Sequence, residues 1–265
     1  MIKTDVVDYI ANELYKAERD CYEVDKFVDQ FPELNVELAY KVQESLTEKK
    51  CREENTKISG RKLGLTSRAK QEMMGVHEPS YGILLENMQL FEGERIRVHP
   101  FIHAKIEPEI AFIFDKEVKG PSVSVTDILE ATAYITPAVE IIDSRYRNFK
   151  FTLADVIADN SSSSRYMFGE KFHQVDDVDL RLMGMVFKKN GEVVATSAGA
   201  SVMGHPARAV AWMANKLIER GQSINPGEVV LSGALSEAFT LTAGDHFSVS
   251  FDGIGALEAA FTDKK

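Results

Sequence analysis

Lys105-Ile-Glu-Pro-Glu-Ile-Ala-Phe-Ile-Phe114 runs from two glutamates into an unbroken apolar segment. Its second half, Glu109–Phe114, reads as a buried strand. Side chains two apart on a strand share a face, so Glu107 and Glu109 point together. A third acid, Glu140, ends Ile135-Thr-Pro-Ala-Val-Glu140 and is followed by Ile141-Ile-Asp-Ser-Arg145. A carboxylate amid Val-Glu-Ile-Ile is costly without a partner. Three carboxylates converging at the ends of buried strands repel one another unless a cation sits among them. An all-oxygen donor set suits Mg2+ or Mn2+ better than Zn2+. Two plainer readings compete: Glu107 and Glu109 merely flank an exposed strand start, and Arg145 neutralises Glu140 in a buried ion pair.

The chain around this stretch is dominated by strands. Val186–Ala195 predicts a hairpin turning at Asn190-Gly191, where a type I′ turn needs positive φ at both positions. Glu228–Ser232 follows an Asn-Pro-Gly turn, and Phe247, Val249, Phe251 and then Leu257, Ala259, Phe261 alternate as strands do. Two helices interrupt them. One begins near Ser124 with Asp127 as a capping-box partner, and the other runs from Pro206 to a stop at Gly221. Strands with irregularly placed helices predict an α+β fold rather than a doubly wound sheet. Residues 1–57 read differently. Val7, Ile10 and Leu14 recur at helical spacing, as do Ala39, Val42 and Leu46 after Asn35, with a break at Phe31-Pro32. The expected division is a helical cap over 1–57 and a β-rich catalytic domain over 58–265.

Composition narrows the function. The 265 residues carry 41 acidic and 31 basic side chains, a formal charge of −10, with no basic stripe of the kind phosphate backbones require. No run approaches the ~20 apolar residues of a membrane span. The first residues carry acids from Asp5 onward, unlike a signal peptide. Cys21 and Cys51 form no CxxC, which predicts a reduced, cytoplasmic protein. Gly253-x-Gly255 lacks the third glycine of a dinucleotide fingerprint, and no P-loop, HExxH or GxSxG occurs.

Two further segments carry candidate chemistry. In Ser59-Gly-Arg-Lys-Leu-Gly-Leu-Thr-Ser67, glycines bracket Lys62, which can enter a cleft as an acid, base or charge stabiliser, or be an ordinary surface lysine. Ala158-Asp-Asn-Ser-Ser-Ser-Ser-Arg165 carries a turn or cap signature, and alternatively a ring of donors around a carboxylate ligand.

Taken in order, GRKLGLTS, EPSYGILL, KIEPEIAF, ITPAVEIIDSR, DVIADNSSSSR, KNGEVVATSAGASVMGHP and VVLSGAL resemble the fumarylacetoacetate hydrolase superfamily. The likeness is to its hydratase/decarboxylase branch from aromatic meta-cleavage pathways and covers residue 60 to the C-terminus. The resemblance implies a mixed β-sandwich roll with Mg2+ or Mn2+ held by Glu107, Glu109 and Glu140. It also implies that Lys62 faces the substrate, with Ser162 and the backbone near Leu84 orienting it. Substrates of this branch are small 2-oxo or 2-hydroxy acids that chelate the metal through C1 and C2 oxygens.

Within the branch, hydratases carry Pro-Asp-(Phe/Tyr)-Gly where this chain has Pro79-Ser80-Tyr81-Gly82. Asp143–Phe151 and Ser162–Arg165 also resemble the decarboxylases, and Arg145, Lys150 or Arg165 would suit a dicarboxylate. Leu231–Leu235 is closer to the hydratases. The resemblance therefore implies decarboxylation of 2-oxo-3-hexenedioate, with hydration of 2-hydroxypenta-2,4-dienoate as the alternative. It further implies a homo-oligomer and association with the paired enzyme of the pathway, and neither nucleic acid nor membrane as a partner.

Overall fold

The computed structural model describes residues 3–263. Three helices lead: α1 (Lys3–Asp20), the single turn α2 (Phe27–Gln30) and α3 (Val36–Glu53), whose Asn35 side chain caps the Leu38 amide. Then follow β1 (Ile58–Gly64), α4 (Arg68–Met74), β2 (Ser80–Leu85), β3 (Arg95–Arg97), β4 (Lys105–Phe114), α5 (Val125–Ala131) and β5 (Thr132–Ile142). After these come α6 (Leu153–Ala158), β6 (Ser163–Phe168), β7 (Gly184–Lys189), β8 (Glu192–Ala198) and α7 (Pro206–Glu219). The chain closes with β9 (Val229–Leu231), β10 (Phe239–Thr240), β11 (His246–Phe251) and β12 (Gly255–Thr262). No described helix is long and apolar enough to cross a membrane.

The strands form two mixed sheets. One has the order β2-β1-β9-β4-β5-β6, with β10 pairing β4, and the other β3-β12-β11-β7-β8. The alternation of β4 sorts its residues between two environments. Ile106, Ile110, Phe112 and Phe114 join Ile135 and Val139 of β5 and Phe187, Phe247, Val249 and Leu257 of the smaller sheet in the main core. Lys105, Glu107 and Glu109 take the opposite face. The helical segment docks beside the edge of the large sheet. Gln43 Nε2 on α3 donates to the carbonyls of Tyr81 and Ile157 at 2.9 and 3.0 Å, and Tyr40 stacks on Tyr81 with centroids 4.5 Å apart.

The expected hairpin turns at Asn190 and Gly191, with φ of 52° and 88°, and both expected helices are present. Two more helices, α4 and α6, lie among the strands. Each is short enough to escape a periodicity test, yet each is capped, by Ser67 and by a Thr152–Asp155 capping box. Residues 163–165, read from sequence as the tail of a turn, instead open β6 (Ser163–Phe168), because β5 offers its free edge from Ala138 to Ile142.

Candidate active site

In the β4–β5 ladder Glu107 lies directly opposite Glu140, and Glu109 opposite Ala138. Like charges so placed repel. Glu109 and Glu140 are fully buried and Glu107 is 8% exposed, yet an oxygen from each lies within 4.8 Å of the others. Glu109 Oε2 accepts the Gly233 amide at 2.6 Å, while its Oε1 and the Oε1 of Glu140 have no hydrogen-bond partner. Glu140 Oε2 meets Lys62 Nζ at 2.9 Å as an ion pair outside hydrogen-bond geometry. Gly233 is required where it stands: its φ is +103°, and a Cβ there would come within 2.4 Å of the Thr66 hydroxyl. The exposed-strand reading of Glu107 and Glu109 does not hold.

Electrostatics follow from this crowding. Burial, then the charge of Glu140, holds Glu109 well above the usual carboxylate range. Burial likewise raises Glu140 in spite of Lys62. For Lys62 burial alone would lower the ammonium, but Glu140, Glu107 and Glu109 outweigh it and keep the lysine charged. Buried carboxylate oxygens without partners, all hard donors, fit a divalent cation of the Mg2+ type. Such an ion would favour the charged form of Glu109 and Glu140 against the burial that disfavours it.

The cluster opens on a cavity of about 760 Å3 whose lining includes Lys62, Ser80, Lys105, Glu107, Phe149, Ser161 and Ser162. Asn160, Ser161 and Ser162 all have positive φ, between 51° and 58°, an uncommon run of left-handed non-glycine residues at the cavity wall. Asn160 secures it by exchanging hydrogen bonds with the Ile83 amide and carbonyl. Ser161 Oγ donates to the Tyr81 carbonyl at 2.9 Å and shares a second hydrogen bond, 3.1 Å long, with the Ser80 hydroxyl. The buried Ser162 hydroxyl has no hydrogen-bond partner among the described residues. At the other wall Asn148 and Phe149 are also left-handed. Glu23, from the helical segment, accepts the Asn148 amide and pairs with Arg147 and His103, and the Asn148 amide, ahead of His103, lowers its pKa.

Of the residues singled out from sequence, Lys62, Ser80, Glu107 and Ser162 line the cavity, and Glu109 and Glu140 sit behind them. The other four lie elsewhere. Arg145 does not pair with Glu140. Its Nε donates to Asp159 Oδ1, and its Nη atoms donate to the Asp143 and Asp159 carbonyls, both at 2.6 Å. Arg145 and Glu140 are five residues apart and separated by the end of β5, so proximity in sequence misled. Leu84 packs in a separate apolar cluster with Ile83, Leu85 and Tyr166. Lys150 is exposed outside the lining, and Arg165 lies over the Phe101 ring at 6.0 Å.

Sequence reasoning missed Lys70, Lys105 and Phe149. Lys70 on α4 reaches Glu107 Oε1 at 2.7 Å. Lys105 carried a readable signal, since it stands two residues before Glu107 and shares its face.

The family model for the fumarylacetoacetate (FAA) hydrolase C-terminal domain matches residues 51–262. A 4-oxalocrotonate decarboxylase of Pseudomonas putida is 41% identical over 252 residues, 95% of each chain. A 2-hydroxyhexa-2,4-dienoate hydratase of Comamonas testosteroni is 36% identical over 253 residues, covering 94% of this chain and 95% of its own. The solved structure of 4-oxalocrotonate decarboxylase from Pseudomonas putida G7, complexed with magnesium and adipate, superposes with a TM-score of 0.95 at 39% identity, covering 98% and 99% of the two chains. With its carboxylate trio, its mixed β-sandwich and its helical cap, the chain belongs to the fumarylacetoacetate hydrolase family, in the branch that holds these decarboxylases and hydratases.

Proposed function

We propose that the protein is a Mg2+-dependent lyase (Mn2+ serving as well) that decarboxylates 2-oxo-3-hexenedioate to 2-hydroxypenta-2,4-dienoate. The observation that carries this reading is the trio of buried glutamates, two of which, Glu109 and Glu140, keep unpartnered oxygens among the described residues beside a charged, buried lysine. Glu107, Glu109 and Glu140 would hold the cation. When bound, it supplies a Lewis acid for the C2 oxygen of a 2-oxo acid. Loss of CO2 breaks the C5–C6 bond, and its electron pair moves through C4 and C3 to the C2 oxygen. Lys62 Nζ, kept protonated by the surrounding glutamates, delivers the proton that makes this oxygen a hydroxyl. Ser162, whose hydroxyl has no protein partner, is free to orient the substrate carboxylate. Ser80 is tied to Ser161 and offers no carboxylate to activate water, which favours decarboxylation over hydration.

In this reading residues 1–57 cap the catalytic part, 58–265, and Glu23 props the cavity wall. The exposed aromatics Tyr134 and Phe172, with centroids 5.7 Å apart, support self-association or docking of the paired hydratase, which light scattering of the protein with and without that enzyme would measure. The free thiols of Cys21 and Cys51 suit the cytoplasm.

The decisive experiment mixes the protein and Mg2+ with 2-oxo-3-hexenedioate while ultraviolet absorbance and CO2 are followed together. CO2 release with accumulation of the dienoate is expected. Consumption of supplied dienoate without CO2 release would assign the hydratase instead.

A further inference from the structure

A dicarboxylate substrate needs a second anion site, and the cations expected to provide it from sequence lie outside the cavity lining. Among the cavity lysines, Lys62 is engaged by Glu140 and Lys70 by Glu107. Lys105 differs. It lines the cavity, it has no carboxylate partner among the described residues, and its ammonium rests 4.1 Å from the centroid of the Phe149 ring.

Its position is metrically defined. Lys105 and Glu107 are two residues apart on β4 and share a face, so their Cα atoms are separated by about 6.7 Å. In an extended six-carbon diacid, five carbon–carbon bonds of ~1.5 Å in zigzag carry one carboxyl carbon about 6 Å from the other. A diacid whose C1 end is held at the glutamate trio is thus as long as the strand repeat that separates Glu107 from Lys105, and both residues line the same cavity.

We propose that Lys105 is the specificity-determining residue for the distal carboxylate, seated against Phe149. This rests on the decarboxylase reading of the same site. Lys105 neither donates nor removes a proton in the reaction; it binds the carboxylate whose carbon leaves as CO2. An ammonium over an aromatic face already has part of its field satisfied. Its grip on a carboxylate is thereby softened, which suits a group that must be recognised in the ground state and released as a neutral gas. A contact to a carboxylate that loses its charge as CO2 departs is made in the ground state and fades in the transition state, so Lys105 acts on KM and does not raise kcat. Phe149 holds its left-handed conformation beside Asn148, whose amide Glu23 accepts, so the helical segment indirectly sets the height of this anion site.

The test compares wild type, Lys105→Met and Lys105→Arg with Mg2+ present. For Lys105→Met, KM for 2-oxo-3-hexenedioate and the inhibition constant of adipate should both rise, roughly 10- to 100-fold for one lost charged contact. Changes in kcat should stay within several-fold, inhibition by the monocarboxylate 2-oxopentanoate should not change, and Lys105→Arg should restore adipate binding. Unchanged adipate inhibition in Lys105→Met, with the loss appearing in Lys70→Met, would overturn the assignment while leaving the decarboxylase intact. Conversely, Lys105-dependent adipate binding by a protein that releases no CO2 would uphold this site and overturn the proposed reaction. Failure of the wild type to bind adipate would overturn the anion site.

Discussion

Two buried charge clusters lie one on each side of the end of β5, and they are built to opposite rules. Around Arg145, Nε and both Nη atoms of the guanidinium donate to Asp159 or to backbone carbonyls. Asp143 in turn accepts the amides of Ile102 and His103. Around Glu140, three carboxylates meet two lysines, Lys62 and Lys70, and oxygens of Glu109 and Glu140 are still left without hydrogen-bond donors among the described residues. A buried ionic network whose members are satisfied fixes geometry, whereas one left incomplete marks a place where something else binds. The incomplete cluster faces a cavity and the complete one faces the helical segment, where Glu18 pairs with Lys50 at 2.6 Å.

Four measurements would break or sharpen that contrast. Glu140→Gln should reduce turnover roughly a thousandfold through lost charge stabilisation, while the metal-free protein unfolds no earlier than wild type. A large fall in its metal-free melting temperature would mean that this cluster, too, is scaffolding. Arg145→Met should cost about 3–5 kcal/mol of stability in urea unfolding, since it strands Asp159 in the interior. Mg2+ at a hundredfold excess over its dissociation constant should stabilise wild type by about 2.7 kcal/mol in the same assay, and Glu107→Gln should abolish that gain. The smallest effect concerns acid. Lys50 and Arg145 overcome burial and hold Glu18 down to about 2. A depressed carboxylate stabilises the fold above its ordinary value of 4.5, and this contribution is lost as pH falls toward 2. Glu18→Gln should therefore flatten the acid limb of the stability profile by about 1–2 kcal/mol and leave pH 7 activity unchanged.

The incomplete cluster was the more legible of the two in the sequence. Two glutamates at strand spacing and a third amid Val-Glu-Ile-Ile were visible as a candidate cation site, although the spacing alone also allowed an exposed strand start, and the glycines around Lys62 left both a cleft and a surface position open. The complete cluster was misread for a physical reason. Arg145 finds its acid 14 residues away across α6, while the acid nearer in sequence, Glu140, belongs to the other side of the strand's end. Lysines such as Lys70 leave a fainter trace, because a long flexible side chain is placed by where its helix docks. That helix, α4, spans only seven residues and was not read from the sequence.

The central position of β9 between β1 and β4 has a consequence for biogenesis. Val229–Leu231 completes the large sheet, and Gly233 then supplies the amide that Glu109 accepts. During synthesis the ribosome must therefore release the chain through Gly233 before this seam can close. Until then β1 and β4 each expose an edge that invites pairing with another nascent chain. Such late, long-range closure slows folding. Yield in a cell should accordingly depend on chaperone supply and translation speed more than on the stability of the finished molecule.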